Sequence, residues 1–217
     1  MTTVATTDFI HVFEEGSEAS RAPLLLLHGT GGDERDLLPL GRMVAPGASL
    51  LSPRGKVLEG AMPRFFRRLA EGVFDEADLV RRTHELADFI VESRKRYDLP
   101  APVALGFSNG ANIAASLLLL RPEVLAGAAL VRAMSPFKSE SPFANAPKAD
   151  LAKADLAGKP VLVLSGALDP IIPAEDAARL VRTLTANGAV VDHRTLPTGH
   201  GLSQADVGLL SGWLDQL

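Results

Sequence analysis

The stretch VALGFSNGANIAASLLLL, residues 103–120, runs from an apolar segment through a glycine-flanked serine into residues of helical character. The pentapeptide Gly106-Phe107-Ser108-Asn109-Gly110 is weak by itself. With 19 glycines in 217 residues, G-x-S-x-G arises by chance in about one such chain in ten. Its weight comes from position: the apolar run before it reads as a buried strand, and the run after it as a helix ended by Arg121-Pro122. Whether Ser108 is a nucleophile on a tight turn or an ordinary loop serine depends on what the rest of the chain brings to it.

Outward from that stretch, short apolar runs alternate with longer segments of helical period. That rhythm predicts β-α-β units and a mostly parallel sheet of about seven strands with helices on both faces, an α/β fold in a single domain over residues 1–217. The strands are read at FIHVF (9–13), PLLLLHG (23–29), ASLLSP (48–53), PVALGFS (102–108), AGAALVRAM (126–134), KPVLVLSGALD (159–169) and AVVDHRTL (189–196). Helices are expected within 33–45, where Pro39 blurs the start, over 76–97, 109–120 and 174–188, and over 204–216. Residues 54–75, rich in arginine and phenylalanine, read as a long loop with one helical turn at most, and 135–158 as a polar loop with room for a short insertion.

A serine hydroxyl becomes a useful nucleophile only when a base takes its proton and a carboxylate holds that base in the right tautomer. In an open parallel sheet such groups meet at the carboxyl ends of the strands. Three residues sit at such ends: Ser108, Asp169 after VLVLSGAL, and His200 in LPTGHGL. Their order, Ser then Asp then His, is that of an α/β-hydrolase sheet with a serine elbow. The glycines at 106 and 110 leave space for the elbow, and the helix opening at Asn109 points its positive end at a developing oxyanion. The turn HGTGG, residues 28–32, offers a second donor, so the oxyanion hole is assigned to the amides of Thr30 and Asn109.

Together LLLLHGTGGDE, SPRGKVLEGAMPRFFRRLAEGVFDEADL, LGFSNGANIAASLLL and GHGLS resemble the phospholipase/carboxylesterase family of α/β hydrolases, in particular its small bacterial carboxylesterases. The likeness runs over nearly the whole chain. It implies Ser108 as nucleophile, His200 as base, Asp169 as acid, Thr30 and Asn109 as oxyanion donors, and a site with no metal, no cofactor and no large lid domain. The expected activity is hydrolysis of carboxylic esters of short to medium acyl chains. Lysophospholipase, acyl thioesterase or C–C hydrolase action with the same triad, or a non-catalytic ligand-binding protein on the same fold, are the alternatives. The loop 54–75 fits the esterase branch better than the thioesterase branch.

Other residues are weighed against this frame. His28 reads as a brace for the oxyanion turn; His11, His84 and His193 are isolated. Asp192 competes for the acid role but lies mid-strand. Arg64, Phe65, Phe66, Met134 and Phe137 are the candidates for substrate contact, because ester sites have apolar walls and an arginine suits a carboxylate. HGTGG is not a dinucleotide fingerprint, since G-x-G-x-x-G lacks its third glycine. The chain has no cysteine, which excludes thiol chemistry, and no metal-ligand spacing of histidines. A net charge of −4 with no run of like charges, the densest basic cluster being the short RFFRRL at 64–69, argues against nucleic acid, and MTTVATTDFIHVF shows no secretory signal, so a cytoplasmic protein with no membrane span and a small-molecule ester as partner is expected. If the chain forms a homodimer, apolar side chains of loop 54–75 are the expected contact.

Overall fold

The structure, a computed structural model, describes residues 9–138 and 154–217. The insertion expected within 135–158 falls mostly outside these residues. The seven expected strands are present as β1 (His11–Glu14), β2 (Leu24–Leu27), β3 (Leu50–Pro53), β8 (Val103–Phe107), β9 (Gly127–Val131), β10 (Pro160–Gly166) and β11 (Val190–Leu196), forming one sheet in the order β1-β3-β2-β8-β9-β10-β11. Only β1 runs antiparallel, against β3; every other pairing is parallel.

The strands alternate sides with period two, as the pleat requires. Leu25, Leu27, Ala104, Leu130, Val161 and Val163 face one core, while Leu24, Leu26, Leu105, Val131, Leu162 and Leu164 face the other. The first core is closed by α2 (Glu76–Arg96), α3 (Asn109–Leu120) and α4 (Ala174–Ala186), the second by α1 (Leu38–Val44) and α5 (Gln204–Leu214). Helix α2 is set by its sequence. Asp75 caps it by accepting the Asp78 N–H, acidic residues occupy its first turn and basic ones its last, and Leu79, Thr83, Leu86 and Ile90 form the buried stripe. Burying one such leucine is worth about 1.5–3 kcal/mol. Pro39 lies in the first turn of α1, where its missing N–H has no intrahelical acceptor to lose. Among the described residues no helix is long and apolar enough to cross a membrane.

Residues 54–75 depart from expectation. They contain no helical turn but two antiparallel hairpins, β4 (Val57–Glu59) with β5 (Met62–Arg64), and β6 (Arg68–Ala70) with β7 (Val73–Phe74). Gly60 and Gly72 sit at the hairpin tips with positive φ, and short β pairing satisfies backbone groups that a bare loop would leave to water. The hairpins are moored to the sheet: the Gly31 N–H donates to Pro63 O at 3.0 Å, and the Phe65 N–H to Asn109 Oδ1 at 2.8 Å. Strands also end earlier than the apolar runs suggested. β9 stops at Val131, because Arg132 turns to φ +56°, and β10 stops at Gly166.

Candidate active site

The sheet reverses its winding between β2 and β8, and the crevice above their carboxyl ends is where an open α/β sheet gathers ligands. The turn after β2 carries His28 to Gly32, and the turn after β8 carries Ser108. Ser108 adopts φ 51°, ψ −113°, outside the regions open to ordinary residues, as the one-residue link between β8 and α3. The flanking glycines make that link possible. A Cβ on Gly110 would lie 2.0 Å from Leu27 O, and one on Gly106 would lie 2.6 Å from Gly110 O.

Three residues distant in sequence meet here. His200 Nε2 lies 2.9 Å from Ser108 Oγ, and His200 Nδ1 lies 2.8 Å from Asp169 Oδ2. An ionised carboxylate only accepts, so Nδ1 carries the ring proton and the Nε2 lone pair faces the hydroxyl. The Asp169 side chain is 1% exposed, and its other oxygen accepts the N–H groups of Ile171 at 2.8 Å and Ile172 at 3.1 Å. Asp192 takes no part: it lies mid-strand on β11, paired with Arg194 at 2.7 Å. His193 meets Ser165 Oγ at 3.0 Å and is exposed; His11 contacts Tyr97 Oη at 2.8 Å.

The backbone N–H groups of Thr30 and Asn109 have no acceptor among the described residues, so both are available as donors beside Ser108. His28 braces the Thr30 turn from below. Its Nδ1–H donates to Gly29 O at 2.7 Å, and its Nε2 accepts the Gly55 N–H at 3.0 Å. Burial pushes the pKa of this imidazole below its usual value, outweighing its hydrogen bond to Gly29 O and the nearby acids. Its two bonds need the neutral ring.

Ser108 and His200 open onto a cavity of about 320 Å3, walled by the two hairpins and by Phe107, Asn112 and Ile172. Of the five residues expected to touch substrate, Arg64 and Met134 line it. Phe65, Phe66 and Phe137 do not; they are 2%, 0% and 4% exposed and belong to the core beneath, Phe66 against Phe74 with ring centroids 5.0 Å apart. Met62, Arg68, Phe74, Phe107, Asn112 and Ile172 line the cavity without having been singled out from sequence.

One residue with a strong bearing on the site escaped the sequence reading. Arg132 is 1% exposed and pairs bidentately with Asp206 of α5 at 2.9 and 2.8 Å. The same guanidinium donates to Gly199 O at 3.0 Å and Gly201 O at 3.3 Å, the carbonyls on either side of His200. It therefore clamps the His200 turn to the end of β9. The signal was present in AALVRAM: a lone arginine in an apolar run requires a buried anion.

An open, mostly parallel sheet with an elbow serine, a strand-end aspartate and a histidine before the last helix defines the α/β-hydrolase class. The comparisons narrow it. The chain is 46% identical over 206 residues to MhqD of Bacillus subtilis (strain 168), whose name describes it as a hydrolase, spanning 94% of this chain and 96% of that protein. A Bacillus cereus carboxylesterase superposes with a TM-score of 0.88 at 45% identity, covering 96% of this chain and 94% of its own. A carboxylesterase from Mesorhizobium loti superposes with a TM-score of 0.83 at 34% identity, covering 94% and 93%. No family model matches the chain. The chain belongs to the carboxylesterase-type α/β hydrolases.

Proposed function

We propose that this hydrolase is a serine carboxylesterase in which Ser108, His200 and Asp169 are the catalytic triad and the amides of Thr30 and Asn109 the oxyanion hole. The observation that carries the reading is the continuous chain from Asp169 through His200 to Ser108, with hydrogen bonds of 2.8 and 2.9 Å. Ser108 Oγ attacks the ester carbonyl carbon as its proton passes to His200 Nε2, and the carbonyl oxygen becomes an anion facing the two amides and the N-terminus of α3. The tetrahedral adduct collapses, the C–O bond to the alcohol breaks, and His200 returns the proton to the departing oxygen. Water then repeats the sequence on the acyl-enzyme and restores the hydroxyl.

A cavity of about 320 Å3 lies at the lower end of the range for ligand sites, about 300–1,000 Å3, and suits short to medium acyl chains. The test is Ser108→Ala on p-nitrophenyl butyrate. The variant should fold and lose about a thousandfold or more in kcat, since removing a triad member leaves only what the oxyanion hole and binding supply. Near-normal turnover by the variant would overturn the assignment.

A further inference from the structure

We propose that the cavity beside Ser108 selects esters that carry a carboxylate group, held by the Arg64 guanidinium within a few bonds of the scissile carbonyl. The proposal rests on the esterase reading and adds a substrate class to it. Arg64 is a cavity-lining residue at the end of β5, yet its side chain is only 4% exposed. A cation so far from water needs anionic or hydrogen-bonding compensation. The protein supplies it incompletely. Nε donates to Phe66 O at 3.2 Å and Nη1 to Thr30 Oγ1 at 2.6 Å, but Nη2 has no hydrogen-bond acceptor among the described residues.

The nearest carboxylate, Glu59, stands 3.3 Å from Arg64 Nη1 and is shared. Arg68 holds it more closely, reaching both oxygens from Nε at 3.1 and 3.0 Å and one from Nη2 at 2.7 Å. Two guanidinium groups thus divide one negative charge. Burial lowers the Arg64 pKa, and the neighbouring Arg68 charge lowers it further, as expected for a cation short of partners. Glu71, exposed on the rim, is the one acid lining the cavity among the described residues, and it makes no ion pair with either arginine.

The cavity wall therefore holds more donors and positive charge than the protein satisfies, and a planar carboxylate is the complement of a guanidinium edge. Because Arg64 grips the side chain of Thr30, whose amide is the proposed oxyanion donor, the bound anion sits close to the reacting carbonyl. Two substrate types meet this requirement: monoesters of short dicarboxylic acids, and acyl esters of short hydroxy acids.

The experiment compares kcat/KM by pH-stat for two matched pairs. Monoethyl glutarate is paired with ethyl 5-methylhexanoate, and 4-acetoxybutanoate with 4-methylpentyl acetate; each neutral partner replaces the carboxylate by an isopropyl group. The wild type should favour the anionic member of at least one pair by about 10- to 100-fold, the worth of a charge-assisted hydrogen bond. The pair that shows it reveals whether the acyl or the alcohol side meets Arg64. In Arg64→Gln that ratio should fall to about one, and Arg64→Lys, which keeps the charge but not the fork, should retain part of it. A merely structural arginine would lower both members of a pair equally and leave the ratio unchanged, which would overturn the proposal, as would a wild-type preference for the neutral member of both pairs. If the wild type hydrolyses none of the four, the esterase reading still stands or falls on p-nitrophenyl butyrate, and the anion site is judged by NMR titration of Ser108→Ala with glutarate. Saturable binding that Arg64→Gln abolishes supports the site; absent or unaltered binding overturns it.

Discussion

Replacing Asp169 by asparagine changes one atom and should disable the enzyme without unfolding it. In the wild type the Ile171 and Ile172 N–H groups both donate to Asp169 Oδ1, at 2.8 and 3.1 Å. The carbonyl oxygen of an asparagine must stay on that side to keep them satisfied, which turns its NH2 toward His200 Nδ1, where the carboxylate oxygen now lies at 2.8 Å. An NH2 group only donates, so Nδ1 must accept, and the ring proton moves to Nε2. Nε2, 2.9 Å from Ser108 Oγ, then presents a proton where a lone pair is needed. In serine proteases this tautomer inversion costs about 10,000-fold in kcat, or about 5.5 kcal/mol at 1.36 kcal/mol per decade. Stability should shift little, by about 1 kcal/mol, because the turn after β10 keeps its hydrogen bonds. The assay is kcat on p-nitrophenyl butyrate at pH 8 beside a thermal melt of the same sample. An Asp169→Asn enzyme folded and within tenfold of wild type would refute the assignment of Asp169 as the residue that orients the base.

Arg132→Met strands the fully buried Asp206 carboxylate and should cost about 3–5 kcal/mol, a Tm drop of about 6–20 °C, with much of it recovered in Arg132→Met/Asp206→Leu. Residual Arg132→Met protein should also turn over more slowly, since no other donor among the described residues grips the carbonyls flanking His200; unchanged kcat would limit the arginine to a stabilising role. Gly110→Ala should abolish soluble expression, because its Cβ would meet Leu27 O at 2.0 Å, and a soluble, active variant would contradict the close crossing of α3 over β2. The folded state depresses the His28 pKa from its usual 6.5, so the unfolded chain binds the extra proton first and stability falls as pH drops below about 6.5. Glu14, Glu34 and Glu59 are held below their usual 4.5 by hydrogen bonds to Arg42, Arg54 and Arg68, so their contribution is lost only at lower pH. Between pH 6.5 and 5 the Tm decline should therefore be shallower in His28→Gln than in the wild type.

The period-two alternation of the strands and the stripe of α2 were legible in the sequence because both depend on local pattern and on burial from two sides. The meeting of Ser108, Asp169 and His200 was legible for a different reason: parallel strands deliver their carboxyl ends to one edge, so strand-end positions imply proximity. Residues 54–75 were not legible, because their hairpins have strands of two or three residues and no run long enough to alternate. Their pairing is imposed by long-range bonds, such as Gly55 N–H to His28 and Phe65 N–H to Asn109, which local pattern does not contain. The same limit explains the substrate contacts. Arg64, Phe65 and Phe66 are consecutive, yet only the first reaches the cavity, since the chain turns at the end of β5 and sends both rings into the core. Arg132 was hidden by its setting in an apolar run, where its partner, Asp206, lies 74 residues away.

The most direct measurement is covalent capture with a fluorophosphonate followed by peptide mass spectrometry. One adduct should form, on Ser108, at a rate that collapses in His200→Ala and Asp169→Asn. Labelling at another residue, or at an undiminished rate when His200 is removed, would show that this hydroxyl is not driven by the imidazole beside it.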